Sequence, residues 1–287
     1  MINIVWAIVF VLVAPLIGGL IAGIDRKITA HMQGRVGPSI FQPFWDVGKL
    51  FEKENAVVNE TQIFYAICYV IFMAFTGALF FAGGDLLLVI FALTLAQIFL
   101  VLGAYSANSP YSYIGAEREL LQIMAYEPMV ILAAVGMYVA TKSFNVSDIA
   151  VTTTPVILLI PGIFLGFIYV LTIKLRKSPF DISTSHHAHQ EIVKGVTTEF
   201  SGPSLGWIEI THWYETVFLL GFVYLFFGFN PLVGVAAVIV VYLFEILIDN
   251  TNARVKWQFA VRSSWLIAAV VGVVNLAALY FLAGGVS

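Results

Sequence analysis

Charged residues are scarce in this sequence of 287 residues, at 11% of the total, and there is a single cysteine. Soluble domains carry about 25% charged residues, so these side chains are too few to cover the surface of a soluble globular enzyme. The hydrophobic share of 60% excludes a disordered chain, and the net charge of −3 gives no basic face for nucleic acid. Because Cys68 is alone, a disulfide framework and a multi-cysteine metal cluster are excluded as well.

Long apolar runs dominate instead, and the mean hydropathy is +0.95. The runs have about 18–24 residues, as transmembrane helices do, whereas membrane barrels use alternating strands of about 9–11 residues. We therefore predict an all-α polytopic membrane protein that forms a single membrane domain over residues 1–287. The first run lacks the basic flank of a signal peptide, so we interpret it as a span. The eight predicted spans are Ile2–Ile24, Ile63–Ala82, Leu86–Tyr105, Leu120–Ala140, Pro155–Leu175, His212–Phe229, Pro231–Ile248 and Ser264–Leu282.

The basic residues indicate how these spans are oriented. With eight spans, every lysine and arginine except Lys142 falls on one side of the membrane. The positive-inside rule makes that side cytoplasmic and places both termini outside. Two long loops, at about 25–62 and 174–211, then lie in the cytoplasm. Long loops on one face of a bundle are typical of a docking surface or a site lid.

Several carboxyl groups lie inside the predicted spans. Such groups are costly in a membrane, so each is a functional hypothesis. Glu127 lies about 10 Å into span 4, and Pro128 after it leaves a backbone carbonyl free. Glu209, His212 and Glu215 share one helical stripe if the helix of span 6 begins early. A row of carboxyl groups can pass protons, and the candidates for such a path are Glu127, Glu209, Glu215, Glu245 and Asp249.

A more ordinary interpretation applies to carboxyl groups near the ends of spans. Such side chains reach the membrane interface and need no functional role. Glu117 and Glu119, which open predicted span 4, and Asp249, near the end of span 7, fit this interpretation.

Two loop motifs resemble a known family. The first loop has the pattern Arg35-Val36-Gly37-Pro38, then Gln42, Asp46 and Lys49-Leu50. The second has Pro179-Phe180-Asp181, then Glu191-Ile192-Val193-Lys194-Gly195 and Glu199-Phe200-Ser201-Gly202. Together they resemble the H-subunit family of respiratory complex I, the membrane protein that joins the redox arm to the proton-pumping arm. The resemblance covers nearly the whole chain, and the predicted eight spans agree with the family fold.

The motifs also depart from complex I. The stretch between Pro38 and Gln42 is shorter than in complex I members, and of the acidic cluster after Asp181 only Glu191 is retained. The short form is similar to the membrane-bound, energy-converting [NiFe] hydrogenases of group 4, which include the Ech and formate hydrogenlyase types. These pass electrons to protons instead of to quinone.

The resemblance implies a coupling subunit without a redox centre of its own, in the cell membrane of a prokaryote. The complex would link ferredoxin-dependent proton reduction, or hydrogen oxidation, to translocation of H⁺ or Na⁺. A NiFe centre and 4Fe-4S clusters are expected on other subunits, and no cofactor or metal in this chain. Implied partners are the hydrogenase large and small subunits, a ferredoxin-like iron–sulfur subunit and an antiporter-like membrane subunit.

The resemblance also assigns residues. The interface with the hydrogenase subunits would include Arg35, Gln42, Asp46, Lys49 and Asp181. The proton path would add Glu191 and Glu199 to Glu127 and Glu215.

Three histidines, His186, His187 and His189, stand in the second loop. Their spacing does not give the i, i+4 pair typical of a helical metal site. A solvated docking loop and a pH-sensing loop both remain open, because histidine titrates near neutral pH. For the whole chain, two alternatives also remain: the H subunit of a quinone-reducing, complex I-type NADH or ferredoxin dehydrogenase, and a free-standing ion transporter.

Overall fold

A computed structural model describes residues 3–54, 56, 59–184 and 193–284. This part of the chain is nearly all helical and has no β-strand, only two isolated β-bridges. The α-helices are α1 (Ile4–Met32), α2 (Gln42–Glu52), α3 (Thr61–Phe81), α4 (Leu86–Tyr105), α5 (Pro110–Thr141), α6 (Val146–Ala150), α7 (Val156–Leu159), α8 (Pro161–Lys174), α9 (Gly202–Leu225), α10 (Pro231–Thr251), α11 (Trp257–Ile267) and α12 (Val274–Gly284), with a π-helical segment at Ala268–Val273.

Turn-forming and capping residues account for many of the helix boundaries. Proline, whose missing N–H costs nothing in the first helical turn, opens α5, α8 and α10. The side chains of Asp85 and Asn230 accept hydrogen bonds from free backbone N–H groups at the starts of α4 and α10. Gly83, with φ +84°, makes the turn between α3 and α4, a conformation that favours glycine.

The long helices run between two ends of the bundle. At one end short turns are tied together, for example by the backbone hydrogen bond from Leu86 N to Phe144 O at 2.9 Å. At the other end lie the connections after α1, α8 and α10, and here Lys177 pairs with Asp25 at 2.7 Å. We call this second end the loop end.

The centre of the bundle is formed by α4 and α5. About half of the most apolar stretch of each is buried, against 22% for α1, α10 and the last helix. The outer helices therefore present apolar side chains outward, which suits a protein that lies in lipid. The largest fully buried side chains include Tyr69, Met73, Leu86, Leu100, Met129, Met137, Phe167, Phe218, Phe222 and Phe226.

Among the described residues, six helices are long and apolar enough to cross a membrane. They are α1, α3, α4, α5, α10 and the combined last helix, Trp257–Phe281. The other two predicted spans correspond to α8, which has only 14 residues and follows the one-turn α7, and to α9, whose polar first half keeps it outside this group. These findings establish a helical membrane protein, whereas the count of eight spans and the position of the termini stay predictions.

Predicted starts of spans are corrected by the structure where a helix begins with polar turns. Span 4 was expected from Leu120, but α5 already begins at Pro110. Span 6 was expected from His212, but α9 begins at Gly202. The reason is the same in both cases: an apolar window detects the membrane-buried part of a helix and misses the polar turns that extend it. The first loop also contains α2, an amphipathic helix that no apolar window predicts.

Candidate functional site

Residues 174–184 form a short segment at the loop end. Its four charged side chains form ion pairs with residues of several surrounding helices and of one connection. Lys174 bonds to α9, Arg176 to α5, and Lys177 to α1 and α10. Asp181 bonds to the connection between α10 and α11. We call residues 174–184 the hub segment. Because it joins elements that are distant in sequence, a displacement of the hub changes several ion pairs at once.

The first ion pair of the hub is fully enclosed. Lys174 Nζ lies 2.8 Å from Glu215 Oε1, and the two side chains are 3% and 6% exposed. Gln97 of α4 donates a second hydrogen bond to the same carboxylate oxygen, at 2.9 Å. The ammonium group also lies 4.3 Å from the ring centroid of Tyr126, a cation–π contact. These partners satisfy both charges in a place with almost no exposed surface.

The second pair lies beside the first. Arg176 binds Glu119 at 2.9 Å, and its guanidinium also contacts the His212 ring. Ser183, at the end of the hub, donates to the other oxygen of Glu119. Burial opposes the charge of Arg176, but the neighbouring carboxylates outweigh it and raise the pKa of the guanidinium above its ordinary value. Two cations and two carboxylates thus form a balanced buried group, which we call the central cluster (Lys174, Glu215, Arg176, Glu119).

A neutral polar pair on α4 lies next to the central cluster. Thr94 and Gln97 are three residues apart and therefore on one face of the helix. Gln97 binds Glu215, while Thr94 Oγ1 donates to Glu127 Oε1 at 3.0 Å. α4 thus carries hydroxyl and amide groups between a carboxyl of α5 and one of α9.

A second ionic group lies on the other side of the hub. Lys177 Nζ is 2.7 Å from Asp25 and 3.7 Å from Asp249, and the Tyr242 hydroxyl donates to Asp25 at 3.0 Å. The backbone N–H of Ser178 donates to Asp249 at 2.8 Å. We call Asp25, Lys177, Glu245 and Asp249 the acidic cluster, since it has three carboxyl groups and one cation.

Glu245 has the least usual position in this cluster. Its side chain is 0% exposed, and neither carboxyl oxygen has a hydrogen-bond partner among the described residues. Thr172 lies close, but its hydroxyl donates to the Ile168 carbonyl at 3.4 Å. An ionised carboxylate with no hydrogen bond is expensive in such a place, so the geometry suits a carboxyl that carries a proton.

Asp181 anchors the far end of the hub. Its carboxylate accepts from Arg254 Nε at 2.6 Å, and the same guanidinium bonds to the Asp181 backbone carbonyl. The Asp181 side chain is 7% exposed. It therefore holds the hub against the α10–α11 connection, and its predicted place in the interface with the hydrogenase subunits stays a prediction.

The residues from the first loop motif lie together at the surface of the loop end. Gln42 donates to Asp46 at 2.8 Å, and Arg26 pairs with the same carboxylate at 2.8 Å. Partial burial opposes the charge of Asp46, but the hydrogen bonds from Gln42 and Arg26 outweigh it and lower the pKa of that carboxyl. Lys49 follows one turn later on α2 with an exposed side chain, and Arg35 is exposed beside Gln33.

The predicted path residues are brought together only in part. Glu215 belongs to the central cluster, and Glu245 and Asp249 belong to the acidic cluster. Glu127 lies outside both clusters and accepts a hydrogen bond from Thr94 of α4. Glu209 and Glu199 are half-buried, and Glu209 shares α9 with Glu215 as the spacing predicted. Glu191, His186, His187 and His189 lie outside the described residues.

The interpretation of Glu119 as a terminal group at the interface is wrong. Its side chain is 4% exposed and paired with Arg176, because α5 extends ten residues further than the apolar run predicts. Glu117, in contrast, is exposed and accepts a hydrogen bond from Tyr105 at 2.8 Å.

Gly115 of α5 allows the backbone at Val196, which is hydrogen bonded to the hub, to approach this helix closely. A Cβ atom on Gly115 would lie 2.2 Å from Val196 N, and that N–H donates to the Ser183 carbonyl of the hub at 2.9 Å. We expect Gly115→Ala to displace this segment and to lower the free energy of unfolding by about 1–3 kcal/mol. Unfolding of the purified protein in detergent measures the loss. Gly48→Ala on α2 is the control, since nothing lies within 4 Å of the added methyl group; equal stabilities for the two variants would contradict the packing argument.

Comparison with known proteins identifies the family of this chain. The family model described as NADH dehydrogenase matches residues 3–280. Hydrogenase-4 component C of Escherichia coli (strain K12) is 27% identical over 91% of this chain and 90% of the relative. The H subunit of the NADH-quinone oxidoreductase of Anoxybacillus flavithermus (strain DSM 21510 / WK1) is 29% identical over 88% of this chain and 85% of the relative.

A solved structure is similar over almost its full length. A chain of the membrane-bound sulfane sulfur reductase, an archaeal respiratory membrane complex, superimposes with a TM-score of 0.84 and 26% identity, and the match covers 94% of this chain and 98% of that one. The resemblance of the two loop motifs to the H subunit of complex I is thus confirmed by both sequence and structure. This membrane protein belongs to the NADH dehydrogenase family and is homologous to subunits of multisubunit oxidoreductase complexes.

Proposed function

We propose that this chain is the membrane anchor and ion-coupling subunit of an energy-converting [NiFe] hydrogenase. The observation that carries the proposal is the hub segment, which joins the connection between α10 and α11 to the buried central cluster and to the partly buried acidic cluster. The similarity to hydrogenase-4 component C and the short form of the first loop motif favour a hydrogenase over a quinone reductase. The NiFe centre and the 4Fe-4S clusters are expected on partner subunits, where they would supply the redox chemistry.

In this proposal the cytoplasmic side of the membrane is the loop end. The hydrogenase large and small subunits would bind over α2, where Gln42, Asp46 and Lys49 lie at the surface, and over Arg35. A ferredoxin-like iron–sulfur subunit would deliver electrons to them. An antiporter-like subunit would pack beside the outer helices, within the cell membrane of a prokaryote.

The coupling step would be electrostatic. A movement of the hub that separates Lys174 from Glu215, or Arg176 from Glu119, leaves a buried charge without its partner. A proton or another cation must then redistribute, and each pKa unit of change corresponds to about 1.4 kcal/mol. Gln97 binds Glu215, and Thr94 on the same face of α4 binds Glu127, so α4 is placed to transmit the change toward Glu127. Glu245 would hold a proton for the acidic cluster, and Glu191, Glu199, Glu209 and Asp249 would complete the path.

Hydrogen evolution from reduced ferredoxin, measured on the gently solubilised complex that copurifies with the chain, tests the hydrogenase function. Activity would support the proposal. Sulfane sulfur reduction without hydrogen evolution would favour a second candidate, suggested by the full-length match to the sulfane sulfur reductase chain. Quinone reduction would favour a complex I-type dehydrogenase. Isolation of the chain without any iron–sulfur subunit would favour a free-standing transporter.

Glu127→Gln tests the path separately from the electron acceptor. We expect ion translocation into proteoliposomes to fall at least about tenfold, because glutamine cannot take up and release a proton, and proton transfer by one positioned acid or base contributes about 10²–10⁴-fold in catalysis. Assembly of the complex should be unchanged, since Thr94 can hydrogen bond with the amide as well. Glu117→Gln is the control, as Glu117 lies on the same helix with an exposed side chain. Full translocation by the Glu127 variant would remove this residue from the path.

A further inference from the structure

A groove opens on the outer surface between α8, α10 and α11. α10 packs against α9 and α1 and has no comparable packing against α8 or α11, so the helices diverge on this side. The space between them measures about 900 Å³ and is lined mainly by apolar side chains. The lining includes Leu165, Ile168, Phe244, Ile248, Phe259 and Leu266.

Among the described residues, one charged side chain, Arg262, lines this apolar groove. None of the described acidic residues pairs with it, whereas the nearby Arg254 is bound to Asp181. Arg262 lies on the second turn of α11, about 8 Å from the start of that helix at the loop end. An arginine in this position offers a planar guanidinium, which suits the oxygens of a phosphate group.

The neighbourhood of Arg262 has the composition of a membrane interface. Trp257 and Trp265 on the same helix are exposed, and Lys256 precedes it. Tryptophan and basic residues concentrate where a bilayer meets water, at the level of the lipid headgroups. The groove therefore runs from the headgroup level, at Arg262, toward the apolar interior, at Leu165 and Leu266.

The charge of the groove favours a lipid over a protein segment. The space of about 900 Å³ between the diverging helices is irregular, and flexible acyl chains can fill it. Among the described residues, the one charged group in its lining is a cation, which a phosphate group would neutralise. The apolar face of a membrane-spanning helix would leave that cation without a counter-charge, which is costly in a membrane.

We propose that this groove binds an anionic phospholipid, whose phosphate pairs with Arg262 and whose acyl chains lie between α8, α10 and α11. The lipid would fill the gap that α10 leaves and would support the acidic cluster from outside, since Phe244 of the groove is the neighbour of Glu245 in α10. Its chemistry, one negative headgroup and two apolar chains, matches the cation that lines the groove and the apolar walls around it.

Lipid retention tests the proposal on the intact complex purified in mild detergent. Phospholipids that stay bound are extracted and quantified for the wild type and for Arg262→Gln and Lys256→Gln. Each variant removes one cation at the same end of α11, but only Arg262 lines the groove. We expect Arg262→Gln to retain about tenfold less anionic phospholipid, since a charge-assisted hydrogen bond contributes about 1.5–3 kcal/mol, and Lys256→Gln to retain the wild-type amount.

A photo-crosslinking residue at Phe244 identifies the occupant directly. Attachment of a phospholipid would support the proposal. Attachment of a neighbouring subunit would overturn it, as would equal retention of anionic phospholipid in the wild type and both variants. Arg262 is exposed at the groove, so loss of folding is not expected to obscure the result.

Discussion

Glu215→Gln should lower the free energy of unfolding by about 3–5 kcal/mol, because it leaves Lys174 buried without an anion. The Lys174 side chain is 3% exposed, and the contact of its ammonium group with the Tyr126 ring does not replace the lost negative charge. Chemical unfolding of the purified protein in detergent measures the difference. Ion coupling should be lost as well, as the variant has no carboxylate at the end of the Gln97 hydrogen bond.

The double variant Lys174→Met/Glu215→Gln should recover much of this loss. Removing both charges from a buried pair is often neutral, whereas removing one is costly. The exposed pair of Arg26 and Asp46 provides the comparison: Asp46→Asn should change stability by at most about 1 kcal/mol. If the double variant is no more stable than Glu215→Gln alone, the two charges do not depend on each other as the geometry requires.

Lys177→Met should have an effect of similar size at the acidic cluster. Among the described residues it removes the only cation that faces Asp25 and Asp249, and Glu245 lies one turn before Asp249 on α10. The two partly buried carboxylates of Asp25 and Asp249 would then lie beside the buried Glu245 with no positive charge. We expect a loss of about 3–5 kcal/mol in the free energy of unfolding, measured in the same way.

Two further variants show whether the effect of Lys177→Met is electrostatic. Adding Asp25→Asn should restore part of the stability, since it removes the carboxylate nearest to the lost ammonium group. Lys256→Met removes an exposed lysine outside the cluster and should change stability by less than about 0.5 kcal/mol. A similar loss in Lys256→Met would mean that lysine removal is harmful in general and that the acidic cluster has no special role.

Hydropathy alone predicts most of the long helices. The predicted span Leu86–Tyr105 coincides with α4, and Ile63–Ala82 differs from α3 by two residues or fewer at either end. Neither helix contains a charged residue, so the apolar run and the helix have nearly the same length. α9 is different, because its first ten residues are polar enough to pack at the loop end, and no apolar window can reach its start at Gly202.

The central cluster could be predicted only in part. Glu215 stands out in the sequence because a carboxylate inside an apolar run is costly. Gln97 and Thr94 do not, because neutral polar residues occur singly in many membrane helices and their partners are far away in sequence. Gln97 binds a carboxylate 118 residues further along the chain, a pairing that no local spacing reveals.

The hub segment shows a different limit of sequence reasoning. Lys174, Arg176 and Lys177 count in the sequence as basic residues of a long loop, and they support the predicted orientation. In the structure the Lys174 and Lys177 side chains are less than a tenth exposed, and Arg176 is 10% exposed. The local pattern identifies the charge of these residues, whereas their burial depends on carboxylates contributed by α1, α5, α9 and α10.

These three cations have a consequence for the biogenesis of the protein. During insertion α9 and α10 are not yet synthesised when the hub segment leaves the ribosome, so Lys174 has no Glu215 to bind and Lys177 has no Asp249. At that moment Lys174 is unpaired, while Arg176 and Lys177 have only the partners on earlier helices, Glu119 and Asp25. In the predicted orientation, the unpaired charge can retain this segment on the cytoplasmic side. Once the later helices arrive, the same charges become the interior ion pairs of the bundle. Variants that neutralise the hub should therefore be examined for inverted helices before their activity is interpreted.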